Sequence, residues 1–199
     1  MLQISGLRDV DYNEIVAACA QRNPDRVMET PRVTFQDWPD RGEERVVELL
    51  FFYQTDRETL RAMREQVQPV FSSAALYVSG QASEGTKFSQ LHAFLTERFD
   101  YRLQSSRTPS YSLLCEGVGD SRAFAQVYAA MCSRIGLEAE FISGTRAGEK
   151  HHWNLVRIDG AWYHRDLLAF PQFRPMMDGE MTDYDWDREA YPAATGIAE

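Results

Sequence analysis

The chain has 199 residues, 44 % of them hydrophobic and 26 % charged, and a formal net charge of −9. That length suits one domain of ordinary size, or one domain with a small appendage. The acidic balance argues against nucleic acid as the main partner, because phosphate binding needs clustered Lys and Arg, and no stretch reaches the ~18 apolar residues that span a bilayer.

The N-terminus, MLQISGLRDVDYNE, turns acidic early and has no apolar h-region, so it does not read as a signal peptide. The chain as given is expected to be cytoplasmic; as a piece of a longer protein it would be cell-surface or secreted. Cys19, Cys115 and Cys132 are odd in number and widely spaced, which fits reduced thiols or at most one bridge.

In chain order, residues 10–22 carry Ile15, Val16, Ala18 and Cys19 at helical spacing, with Asp11 or Asn13 as the cap. RVTFQDW and RVVELLFFYQT are rich in β-branched and aromatic residues and predict strands, joined by a turn at PDRGEE. DRETLRAMREQVQPVFSSAA predicts a helix that stops near Pro69. GTKFSQLHAFLTERFDY predicts another, with Phe88, Leu91, Phe94, Leu95 and Phe99 on one face. SSRTPSYS reads as a polar loop. A helix follows from about Ser121 to Ile135, then a strand over EAEFISGT. HHWNLVRI and AWYHRDLL flank Asp159-Gly160, a strong hairpin signal. After residue 170, Pro171, Pro175 and Pro192 leave room for little beyond a short helical turn. Helices and strands that precede one central helix and an antiparallel sheet make an α+β pattern.

The last third carries the chemistry. Ser121 opens a helix behind GVGD, where unpaired amides and the helix dipole stabilise an anion. The hairpin brings His151 and Asp166 within about two positions of a cross-strand pair, so the carboxylate can orient the imidazole. Each residue also has a plain reading. Ser121 can be a helix cap, His151 a hydrogen-bonded strand residue, and Asp166 a partner of Arg165 or Arg157. Four groups, His151, His152, His164 and Asp166, raise the question of a metal. Adjacent strand residues point to opposite faces, so His151 and His152 cannot chelate one ion, and no metal or cofactor is expected. Trp153 shares the His151 face and is either core or the wall of a substrate groove.

Residues 111–168 resemble the core of the transglutaminase-like superfamily, related in fold to papain-type cysteine peptidases. The match rests on the glycine loop before Ser121, the RIGL helix exit, His151-His152-Trp153-Asn154, and Asp159-Gly160-Ala161-Trp162-Tyr163 followed by Asp166. LHAFLTERFDY upstream and MTDYDWDREAYP downstream resemble segments of bacterial members, which extends the similarity over roughly 85–192. The resemblance implies a papain-like fold, with a central helix packed on an antiparallel sheet. It also implies a core over 81–199 behind an N-terminal extension over 1–80. It places the family's His on His151, its Asp on Asp166, and its nucleophilic Cys on Ser121.

The serine is the departure. A thiol at a helix mouth ionises beside an imidazolium; a hydroxyl must lose its proton during attack. Two functions therefore stand open. One is a catalytically impaired domain whose cleft binds a peptide or protein segment. The other is an active Ser121–His151–Asp166 amidase or acyltransferase acting on peptide or glutamine carboxamides.

Overall fold

The protein is described by a computed structural model over residues 2–3, 11–39, 45–103, 105–170 and 172–198. Strand β1 (Leu2–Gln3) is followed by α1 (Tyr12–Arg22), β2 (Arg32–Pro39) and β3 (Arg45–Phe52). The three strands form an antiparallel sheet in the order β1-β3-β2. Asp11 caps α1 by accepting from the amides of Asn13 and Glu14, and Asn13 Oδ1 accepts from the Val33 amide at 2.9 Å. Tyr12 and Val33 bury this helix against the sheet. The turn expected at PDRGEE falls on 40–44, outside the described residues.

Helix α2 spans Arg57–Tyr77 and runs straight through Pro69, where the sequence predicts a stop. Pro69 lies on the exposed side, so the carbonyl that loses its donor can turn to water. Val67, Phe71 and Ala74, on the other side, are buried and carry the helix onward. Helix α3 (Glu84–Thr96) is capped by Ser83 and buries Phe88, Leu91, Phe94 and Leu95 of the expected face, while Phe99 lies past its end.

A short strand, β4 (Asp100–Tyr101), precedes α4 (Pro109–Glu116), which stands where a polar loop was expected. Pro109 at the first helical turn pre-sets φ, and Leu113 and Leu114 supply the apolar anchor. Ser110 and Ser112 are buried, so the polar composition hides a packed helix. Strand β5 (Val118–Gly119) pairs in parallel with β4 and leads into α5 (Ser121–Arg134). Helix α5 is buried almost all round, through Phe124, Val127, Tyr128, Met131 and Cys132, and lies at the centre of the main core. The boundary expected at residue 80 falls between α2 and α3, yet Val67, Phe71 and Ala74 share that same core.

The second sheet is antiparallel, in the order β8-β7-β6-β9, from β6 (Ala139–Arg146), β7 (Glu149–Ile158), β8 (Ala161–Arg165) and β9 (Tyr184–Asp185). Asp159 (φ 50) and Gly160 (φ 86) both take positive φ, the requirement of a tight hairpin turn whose twist matches its strands. The tail contributes more than was expected of it. Besides two 3₁₀ turns, at Asp178–Glu180 and Arg188–Ala190, it adds β9 to the sheet edge, with Thr145 opposite Asp185.

Both faces of this sheet are covered. His152, Asn154 and Val156 of β7 face α5: Asn154 Nδ2 donates to the Ala125 carbonyl at 2.9 Å, and Val156 joins the main core. Trp153 and Leu155 face the other way and pack with Ile142, Met176, Met181 and Trp186 in a second cluster. Gly144, opposite His151, has no room for a side chain. A Cβ there would collide with the Asp185 carbonyl oxygen and lie 2.7 Å from the Trp153 ring.

Candidate functional site

The site begins at the mouth of α5. The chain arrives there pinned by β4, since the Asp100 and Arg102 amides donate to the carbonyls of Gly117 and Gly119, each at 2.9 Å. Asp120, not Ser121, caps the helix: its carboxylate accepts from the Ala123 amide at 2.9 Å. Ser121 is the first helical residue, and its side chain is free for another partner.

That partner is His152. The Ser121 Oγ lies 3.2 Å from His152 Nδ1. The His152 ring stacks on Phe141, with centroids 5.3 Å apart. Burial, with the positive charges of Lys150 and Arg122 nearby, pulls its pKa down from 6.5 to about 4. The imidazole is therefore neutral at neutral pH, and with its proton on Nε2 it accepts from the Ser121 hydroxyl. Among the described residues, no carboxylate hydrogen bonds to His152.

His151 points the other way. Its Nε2 lies 2.8 Å from Asp166 Oδ2. The Tyr184 hydroxyl donates to the same oxygen at 2.7 Å, the Leu168 amide donates to Oδ1 at 2.9 Å, and Arg146 Nη1 lies 3.8 Å from Oδ2. Burial works to raise the Asp166 pKa, but these hydrogen bonds outweigh it and hold the carboxyl below its ordinary value. Burial and the Asp166 charge push the Tyr184 hydroxyl well above its ordinary range. Arg165 is fully buried beside it, donating to the Asp166 carbonyl at 3.0 Å and contacting His92; burial lowers its pKa to about 10.

Trp153 packs against the His151 and Tyr184 rings and opens a second hydrogen-bonded chain. Its Nε1 donates to His164 Nδ1 at 3.0 Å, and His164 Nε2 reaches Asp178 Oδ1 at 2.7 Å. Accepting at Nδ1 fixes the His164 proton on Nε2, where it donates to Asp178. Burial lowers the His164 pKa even though Asp178 works to raise it.

One link of the Ser121–His151–Asp166 relay expected from sequence is therefore differently made. His151 and Asp166 are bonded, but among the described residues no hydrogen bond joins Ser121 to His151. The reason is the strand period. Helix α5 covers the face of β7 that carries even-numbered residues, so the first side chain of α5 meets His152. Of the two readings open for Trp153, the structure places it in the core, where it is 0 % exposed. Ser121, His151 and His152 are each less than a tenth exposed. Among the described residues, no cluster of three metal-ligating side chains occurs. Cys132 is core and Cys115 is exposed on α4.

Sequence reasoning missed Asp120, Phe141 and Tyr184. Tyr184 had a signal, the MTDYDWDREAYP segment, but nothing in that segment reveals that it forms β9 over Asp166.

Comparison with known proteins adds a family match. Residues 72–167 match the Transglutaminase-like superfamily. A comparison with curated proteins gave no match. Among solved structures, a TGase is similar at 12 % identity and TM-score 0.48, over 96 % of this chain and 56 % of that one, so this chain spans little more than half of its length. A candidate cysteine protease of Cytophaga hutchinsonii gives 11 % identity and TM-score 0.45, over 77 % of this chain and 70 % of that one. The calcium-bound LapG of Legionella pneumophila gives 12 % and 0.47, over 74 % of this chain and 87 % of that one.

Proposed function

We propose that this chain, whose residues 72–167 match the Transglutaminase-like superfamily, recognises a peptide or protein segment where the α5 mouth meets β7, without efficient acyl transfer. The observation that carries this reading is the pairing of Ser121 with His152. A serine nucleophile needs a base whose pKa lies near the working pH and whose ring is held by a third group. His152, at about 4, is too weak a base, and among the described residues no carboxylate hydrogen bonds to it. His151 has the carboxylate, but among the described residues no hydrogen bond joins it to Ser121. Asp120 adds a negative charge one residue from the position where an oxyanion would form.

The preserved His151–Asp166 pair favours a second reading, in which Ser121 attacks a carboxamide with His151 as base and Asp166 as its orienter. Mass spectrometry after incubation with an activated ester separates the two. The binding reading expects no acyl adduct on Ser121, together with peptides selected from a glutamine-containing library that still bind His151→Ala. An acyl adduct on Ser121 that disappears in His151→Ala would replace it with the hydrolase.

A further inference from the structure

A groove of about 840 Å³ opens between the first turns of α2 and the segments that follow α1 and β3. None of its lining residues comes from α5, β7 or β8, so it is separate from the Ser121 site. Its lining includes Arg26, Arg57, Arg61 and Arg64, against one carboxylate, Glu65. We propose that this groove binds an extended acidic peptide segment.

The charge pattern calls for an external anion. Arg57, Arg61 and Arg64 stand at i, i+4 and i+7 on one exposed face of α2. Like charges at this spacing destabilise a helix, and the chain as a whole is acidic, at −9. Internal partners relieve only part of the repulsion. Arg61 pairs with Glu65 at 3.1 Å, and Arg26 lies 3.9 Å from Asp25. Arg57 and Arg64 have no ion pair or hydrogen bond to a side chain among the described residues.

The walls are tied in place. The buried Glu29 carboxylate accepts from the Gln54 and Thr55 amides at 2.7 and 3.0 Å, which fixes the segment after β3. Gln68 Nε2 donates to the Asp25 carbonyl at 2.7 Å, which holds the segment after α1 to α2. The guanidiniums are thus mounted on a built frame, and binding need not order it.

Spacing and composition favour a peptide. Arg57 and Arg61 are separated by about 6 Å along the axis of α2, and Arg64 by about 4.5 Å more. Alternate side chains of an extended peptide are about 7 Å apart, so two carboxylates separated by one residue match the Arg57–Arg61 step, and Arg64 lies within side-chain reach of the second. Tyr53 and Leu60 offer apolar surface to the residues between. A nucleic acid would need a basic track longer than this groove and would meet an acidic surface beyond it.

The test is fluorescence anisotropy with a short labelled peptide of alternating glutamate and leucine. Its glutamine-for-glutamate version, single-stranded DNA and tripolyphosphate serve as the other arms. The glutamate peptide should bind, weaken as salt rises, and bind about tenfold or more weakly to Arg57→Gln/Arg64→Gln. Both positions are exposed, and a thermal melt confirms that the variant is folded. Absence of peptide binding, equal binding of the glutamine version, or unchanged binding by the double variant would overturn the proposal. So would tighter binding of DNA or tripolyphosphate that is lost in the same variant. None of these results bears on Ser121.

Discussion

The two faces of β7 carry neighbouring histidines in opposite circumstances. On the odd face, His151 belongs to a closed network in which Asp166 is bound by an imidazole, a phenol and an amide. On the even face, His152 meets one hydroxyl and one aromatic ring, with positive charge nearby. The first arrangement holds a buried anion; the second keeps a buried imidazole neutral. The serine hydroxyl thus meets one histidine while the aspartate meets the other. The face that the helix covers decides which histidine the nucleophile position meets.

Breaking the odd face should have the largest effect. Asp166→Ala leaves the His151 and Tyr184 donors unpaired in the interior, and should cost about 4 kcal/mol of folding stability in urea titration. A loss near zero would mean that the network is not closed as described.

The even face should show itself through pH. The His152 pKa is 6.5 in an ordinary setting and about 4 in the folded protein. Between those values the unfolded chain binds the extra proton, so stability is full above about pH 6.5 and falls as pH drops towards 4. The total loss is about 3 kcal/mol, and His152→Gln should flatten it. The Asp166 contribution has another window: its folded pKa is depressed, so its share holds above the ordinary carboxylate value and is lost only in stronger acid. Urea midpoints at a series of pH values separate the two; equal slopes in wild type and His152→Gln would contradict the assignment.

Smaller effects sharpen the contrast. Gly144→Ala forces a methyl against β9 and Trp153, and should cost about 2 kcal/mol with a change in tryptophan fluorescence. Tyr184→Phe removes one donor to the carboxylate and should cost about 1.5 kcal/mol, leaving the fluorescence nearly unchanged. If Tyr184→Phe proved the more damaging of the two, β9 would be held by its hydroxyl and not by packing.

Much of this was legible in the sequence. The Asp159-Gly160 turn and the period-two strands gave the hairpin that brings His151 to Asp166, and the apolar run after Ser121 gave the central helix. The same period also says that His151 and His152 face apart. What it does not say is which face α5 covers, because tertiary packing at Asn154 and Val156 decides that. Helix α4 was hidden because two of its serines are buried, and α2 passes Pro69 because its buried face outweighs one lost hydrogen bond. Strand β9 is two residues long, too short to show a period.

Ser121→Cys tests the split most directly, with iodoacetamide labelling at residue 121 followed across pH by peptide mass spectrometry, which separates it from the exposed Cys19 and Cys115. A thiol facing a neutral His152 beside Asp120 should alkylate as an ordinary cysteine, with its rate rising towards a pKa of about 8.5 or above, and should show no amidase activity. Fast labelling that persists below about pH 7 and is lost with His151→Ala would contradict the split, because it would mean that His151 reaches the nucleophile position after all.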